Sequence, residues 1–170
     1  MGVGFARTVV CVLLVVGIPS LAGGRLLPAA GVVIDGTGQV LGPVVSLIPS
    51  SQVVAFSVSV GGAYQVLAAS RDRLFGAVTG AVFFDSTDCT GSGFVERGGH
   101  ILPGAVVFGL QLYVESPLGL EQTRTPRSAG LNGTSTCQSI GPDPRLVTPT
   151  SAPIDVSGFV PPFSVRAVTP

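Results

Sequence analysis

Between Val53 and Ala69 the chain reads VVAFSVSVGGAYQVLAA, and this stretch constrains the fold more than any other. Val54, Phe56, Val58 and Val60 alternate with Ala55, Ser57 and Ser59, which gives a strand one apolar face and one small polar face. Gly61-Gly62 follows, a dipeptide that accepts the positive φ angles of a two-residue hairpin. The return segment places Tyr64, Val66 and Ala68 on one face and Gln65, Leu67 and Ala69 on the other. Beyond the N-terminal segment no apolar stripe with helical spacing runs unbroken by Gly or Pro. With 24 glycines and 14 prolines in 170 residues, the chain must turn often.

Other segments repeat the pattern. Val32 to Ile34 and Val40-Leu41 flank Asp35-Gly36-Thr37-Gly38, a second hairpin signal. Pro43 restricts the strand that follows to an edge or a strand start. Ala81 to Phe84 reads as a short strand, and Val106 to Glu115 as the cleanest period-two run. Asn132-Gly133 reads as a turn before a strand within Thr134–Ile140. The tail from Ile154 to Arg166 reads as a strand, a corner at Pro161-Pro162 and a last strand. Segments 117–127 and 141–153 read as polar, Pro-bearing loops. The expectation is an all-β fold over 31–170, a single antiparallel sandwich or barrel of about eight short strands.

Residues 1–22 read as a secretory signal peptide, and 23–30 as a linker. Arg7 is followed by the apolar run Thr8–Ile18, and Ser20-Leu21-Ala22 suits cleavage after Ala22. The run is shorter than the roughly 20 apolar residues that a membrane span needs. An uncleaved anchor is the alternative to a cleaved leader; after cleavage no transmembrane span is expected. Cleavage removes Cys11 and leaves Cys89 and Cys137, an even pair in an exported chain, which reads as a disulfide. The expected location is secreted or in the cell envelope, in the periplasm or on the cell surface.

The segments GVVIDGTGQVLGPVV, VFFDSTDCTGSGF, GTSTCQSI and APIDVSGFVPPFSVR resemble a loose group of uncharacterised exported bacterial β-domains. That group shows a Val-Val-Asp hairpin and an aromatic strand ending in Asp/Asn-Cys-x-Gly. A second cysteine near Thr-Cys and a Val-Asp-Leu/Val-Ser-Gly-Phe tail follow. Some members come after collagen-like or tail-fibre-like stretches, which this chain lacks. The resemblance spans most of 31–168 and rests mainly on turn and strand residues. It implies export and a fold type, and it implies no activity.

Composition excludes several chemistries. Only 11% of residues are charged, and all nine basic residues are arginine, so no Schiff-base, P-loop or general-base lysine exists. Scattered arginines balanced by nine acids make no basic patch, and no nucleic-acid partner is expected. The loop FFDSTDCTG, 83–91, joins two carboxylates to a cysteine. As a calcium loop, Asp85 and Asp88 fall short of the six to eight oxygens required. As a nucleophile, Cys89 needs a base and a reducing compartment. As a staple it needs only Cys137, with Asp85 and Asp88 accepting backbone N–H groups of their own turn.

Asp35-Gly36-Thr37-Gly38 inverts the aspartic-protease order, and no second copy is present. Zinc ligands are too few. Asn132-Gly133-Thr134 fits a glycosylation acceptor and, equally, a hairpin turn. No catalytic residue, metal ligand or cofactor is assigned. The sequence therefore points to a non-enzymatic structural or binding module, self-associating or contacting an extracellular protein or polymer. The alternative is a secreted hydrolase using His100 with Asp85 or Asp88.

Overall fold

A computed structural model of the protein describes residues 31–48, 51–77, 80–96 and 103–168. The leader 1–22 with its cleavage point at Ala22, the linker 23–30 and His100 lie outside the described residues. Among the described residues there is no α-helix; there are fifteen antiparallel strands in three sheets that do not close into a barrel.

The first sheet holds β1 (Gly31–Ile34), β2 (Val40–Ile48), β3 (Val53–Val60), β4 (Ala63–Ala69), β5 (Leu74–Gly76) and the last strand, β15 (Ser164–Ala167). Its order is β15-β1-β2-β3-β4-β5. The β3–β4 hairpin is as the alternation predicts: Val60 pairs Ala63, and Gly61 and Gly62 turn at φ 59 and 78. Two positive φ angles in succession define the turn whose twist matches paired strands.

The second sheet holds β6 (Ala81–Phe84), β7 (Gly93–Glu96), β10 (Gln122–Arg124), β11 (Ser128–Leu131), β12 (Cys137–Ser139) and β13 (Arg145–Pro149). Its order is β10-β13-β7-β6-β11-β12. Between the two sheets lies a hairpin, β8 (Ala105–Phe108) and β9 (Gln111–Val114), extended by β14 (Ile154–Asp155).

That hairpin corrects the sequence reading of Val106 to Glu115 as one strand. The chain reverses at Gly109-Leu110, with Phe108 paired to Gln111 and Gly109 at φ 60. Ala105, Val107, Leu112 and Val114 pack on the first sheet with Val54, Phe56 and Leu67. Val106, Phe108 and Tyr113 pack on the second with Val82, Phe84 and Val95. Apolar residues are required on both faces of a strand that is covered on both sides, so the alternation carried no mark of the turn.

Pro43 also differs from expectation, since it sits inside β2, an internal strand. It is tolerated because β2 changes partner there. Residues 40–43 pair with β1, and pairing with β3 begins at Val44, followed by a register shift before Ser46. The missing N–H of Pro43 falls at the handover. A Cβ on Gly42 would collide with the Ser57 carbonyl oxygen, so glycine is what lets the two strands approach. Segments 117–127 and 141–153, read as loops, supply β10 and β13.

The outer face of the second sheet is closed by arginine. Phe83 and Phe94 are cross-strand partners, buried to 6% and 5% exposure. Arg145 lies over the Phe83 ring at 4.9 Å and Arg124 over Phe94 at 5.1 Å. Arg145 also reaches Glu96 at 2.6 Å. The guanidinium groups themselves cover aromatic carbon, and that of Arg145 is in part buried, with its Nε enclosed and without a hydrogen-bond partner.

Candidate functional site

Of the three readings of the 83–91 loop, the structure shows the staple. Cys89 and Cys137 are disulfide-bonded, with Cα atoms 5.8 Å apart and a sequence separation of 48. Cys89 leaves the β6–β7 loop at φ 57 and is buried against Val82 and Phe84; Cys137 opens the exposed edge strand β12. The Cys89 N–H donates to Ser128 Oγ at 3.0 Å, and that hydroxyl donates to the Ser86 carbonyl at 2.8 Å. Ser128 is fully buried, so this relay fixes the loop to β11 from beneath.

Of the two carboxylates in the loop, Asp88 takes backbone N–H groups of its own turn, as expected, and Asp85 does not. The Ser86 hydroxyl closes the turn, accepting the Thr90 N–H at 3.0 Å and donating to the Thr90 carbonyl at 2.9 Å. Asp88 accepts the Thr90 hydroxyl at 2.7 Å. That hydroxyl, with Ser86, holds the Asp88 carboxyl below its ordinary value. Asp85 faces Arg124 at 3.6 Å. Each acid of the hydrolase reading is thus engaged with a local partner.

Among the described residues Asp35 is the one buried acid. It is 3% exposed. Its Oδ1 accepts the Thr37 hydroxyl at 2.7 Å and the N–H groups of Thr37 and Gln39 at 2.9 Å. Its Oδ2 accepts the Val160 N–H at 3.3 Å, and the Gly36 N–H donates to the Val160 carbonyl at 2.6 Å. The hairpin tip therefore hooks the corner that carries Pro161-Pro162. The Thr37 hydroxyl, followed by the backbone donors, outweighs burial and lowers the Asp35 pKa. The Ser157 N–H lowers that of Asp155.

A group with a depressed folded pKa stabilises the fold above its unfolded pKa and loses that contribution as pH falls through the folded value. Stability should therefore hold from neutrality down to about pH 4, and fall below it. Urea midpoints at pH 7, 5 and 3 measure this. In Asp35→Asn the neutral-pH midpoint drops, because an amide N–H then opposes the Val160 N–H, and the acid-side decline becomes shallower. An unchanged midpoint at pH 7 would remove Asp35 from the fold's supports.

Asn132 is the residue the sequence reading undervalued. Its Oδ1 accepts the Gly76 N–H at 2.8 Å and the Val107 N–H at 3.0 Å, and its Nδ2 donates to the Gly76 carbonyl at 3.3 Å. One side chain at the end of β11 thereby ties β5 of the first sheet to β8 of the hairpin. The turn reading of Asn132-Gly133 holds: the Thr134 N–H donates to the Leu131 carbonyl, and Gly133 stands at φ 74. The amide that glycosylation would modify is committed to the interior.

Loops from all three sheets converge beside Asn132. They enclose an open cleft of about 650 Å³ whose walls include Asp72, Arg73, Leu110, Thr136, Phe159 and Phe163. Its floor is apolar, from Leu74, Val107 and Val156; its rim carries one acid, one guanidinium and the hydroxyls of Thr134, Ser135 and Thr136. Among the described residues no group of three or more His, Cys, Asp or Glu side chains could hold a metal ion. No protein-family model, curated protein or solved structure matches the chain.

Proposed function

We propose that the chain is an exported, non-enzymatic β-module that binds an extracellular partner or polymer through the cleft of Asp72, Arg73 and Thr136. The carrying observation is that convergence of loops from three sheets on one concave surface, an apolar floor under a rim of hydroxyls and opposite charges. Such a rim orients a neutral, hydrogen-bonding ligand, and the floor supplies area. The disulfide supports a place outside the reducing cytosol. The leader-like N-terminus and the resemblance to exported bacterial β-domains support the same placement. Among the described residues no helix is long and apolar enough to cross a membrane.

The test combines export with binding. Intact mass of protein recovered outside the cytosol, with and without reductant, reads cleavage after Ala22 and the Cys89–Cys137 bond together. Isolated cell-wall polysaccharide and peptidoglycan then serve as binding probes. Arg73→Glu with Thr136→Arg is expected to abolish retention on the polymer that wild type binds, and His100→Ala to leave it intact. Hydrolysis of ester, glycoside or peptide substrates that disappears in His100→Ala would overturn the reading and establish the hydrolase alternative.

A further inference from the structure

A second opening lies at the end of the first sheet, where β2 passes into β3. It is a trough of about 450 Å³, within the roughly 300–1,000 Å³ range of small-molecule sites. Leu47, Val54, Ala69 and Phe163 line it, and all four pack in the main core, so the trough is the core's apolar interior continued to the surface. Val165 on the edge strand β15 forms one wall and is 45% exposed.

The rim differs from that of the cleft above. It carries Gln52, Ser70 and Ser164, and a single charged residue, Arg71. The Phe163 N–H donates to the Arg71 carbonyl at 2.7 Å, which fixes this residue to the chain at the mouth. Arg124 and Arg145 each have a carboxylate within 4 Å and an aromatic ring beneath them. Among the described residues Arg71 has neither. Gln52, on the same rim, holds φ 54, a left-handed backbone that non-glycine residues seldom adopt and that gathers at ligand clamps.

An uncompensated guanidinium at the lip of an apolar trough complements a molecule with a hydrocarbon chain and an anionic head. We propose that the trough binds a single-chain alkyl carboxylate, its chain along Val54, Ala69 and Phe163 and its head on Arg71. The carboxylate is the better fit because a planar guanidinium pairs it through two hydrogen bonds. The proposal extends the binding-module reading but uses a second opening, which shares only Phe163 with the cleft. Its failure therefore leaves the cleft untouched, as failure at the cleft leaves the trough.

Calorimetric titration of the oxidised, exported protein with dodecanoate and with dodecyltrimethylammonium tests it. Dodecanoate is expected to saturate one site below its micelle concentration and to bind at least tenfold tighter than the ammonium amphiphile. Arg71→Glu, at an exposed position, should weaken dodecanoate more than tenfold and abolish the preference. Val165→Glu should weaken both amphiphiles, with thermal melts reporting that each variant is folded. Equal affinity for the two head groups, no saturable site, or dodecanoate binding indifferent to both substitutions would overturn the proposal. So would a wild-type dimer in sedimentation equilibrium that Val165→Glu dissociates and dodecanoate does not, since a second copy would then occupy the trough.

Discussion

Replacing Cys89 and Cys137 together by serine should lower the unfolding free energy by about 4 kcal/mol, the chain-entropy value for a loop of this length. The separation of 48 residues is long enough for the cross-link to remove much of the unfolded chain's freedom. A domain of this size has a total stability of about 5–15 kcal/mol, so the loss removes roughly a quarter to four-fifths of it. The loss should also be uneven. Cys89 keeps its N–H bond to Ser128 Oγ, and Ser128 keeps its bond to the Ser86 carbonyl, so the β6–β7 loop remains tethered. Strand β12 has no such support: all three of its residues are exposed, and it pairs only with β11, at the edge of its sheet. Hydrogen exchange should therefore accelerate first at Gln138 and Ser139, ahead of β6 and β11. Denaturant midpoints with and without reductant measure the same quantity in the wild type. A midpoint that reductant does not move, with loss of the bond verified by mass, would show that the cross-link contributes nothing to stability.

The parts of the fold that were legible are those where local chemistry and tertiary role coincide. Gly61-Gly62 must turn, and Val54, Phe56 and Val58 must face one way, whatever lies beyond them. Asp35-Gly36-Thr37-Gly38 turns for local reasons too, because the Asp35 carboxylate accepts donors two and four residues on. The cysteine pair followed from counting. What was hidden depends on neighbours. The turn at Gly109-Leu110 vanished into an apolar run because both faces of the β8–β9 hairpin are covered. β13 was hidden by Arg145 and Pro149, which read as loop residues; Val147 and Thr148 between them are buried on opposite faces. The cleft draws on residues from Asp72 to Phe163, which no spacing in the sequence relates. Asp88 was placed with its own turn, which it does serve, while Asp85 faces Arg124 on β10, a partner that only the folded sheet brings near.

Asn132→Ala should cost about 3 kcal/mol, because it leaves two buried backbone donors, those of Gly76 and Val107, without their acceptor at roughly 1–3 kcal/mol each. Water cannot readily replace the side chain, since Gly76 and Val107 are both buried. A Cβ on Gly76 would run into the Ala105 carbonyl, so β5 and β8 already lie against each other. Asn132→Asp separates this account from a loss of turn propensity. The carboxylate keeps an acceptor for both N–H groups but sets a second oxygen against the Gly76 carbonyl, which the amide now serves as donor at 3.3 Å. Protonation restores a donor there, so the folded-state pKa of the introduced acid is raised. Its penalty is then present at neutral pH and relieved as pH falls through that raised value, opposite in sign to the native carboxylates. Urea midpoints from pH 7 to pH 5 should rise for Asn132→Asp and stay level for wild type. Equal pH dependence in both proteins would mean that Asn132 acts through its turn alone and that the junction of the sheets is held by other groups.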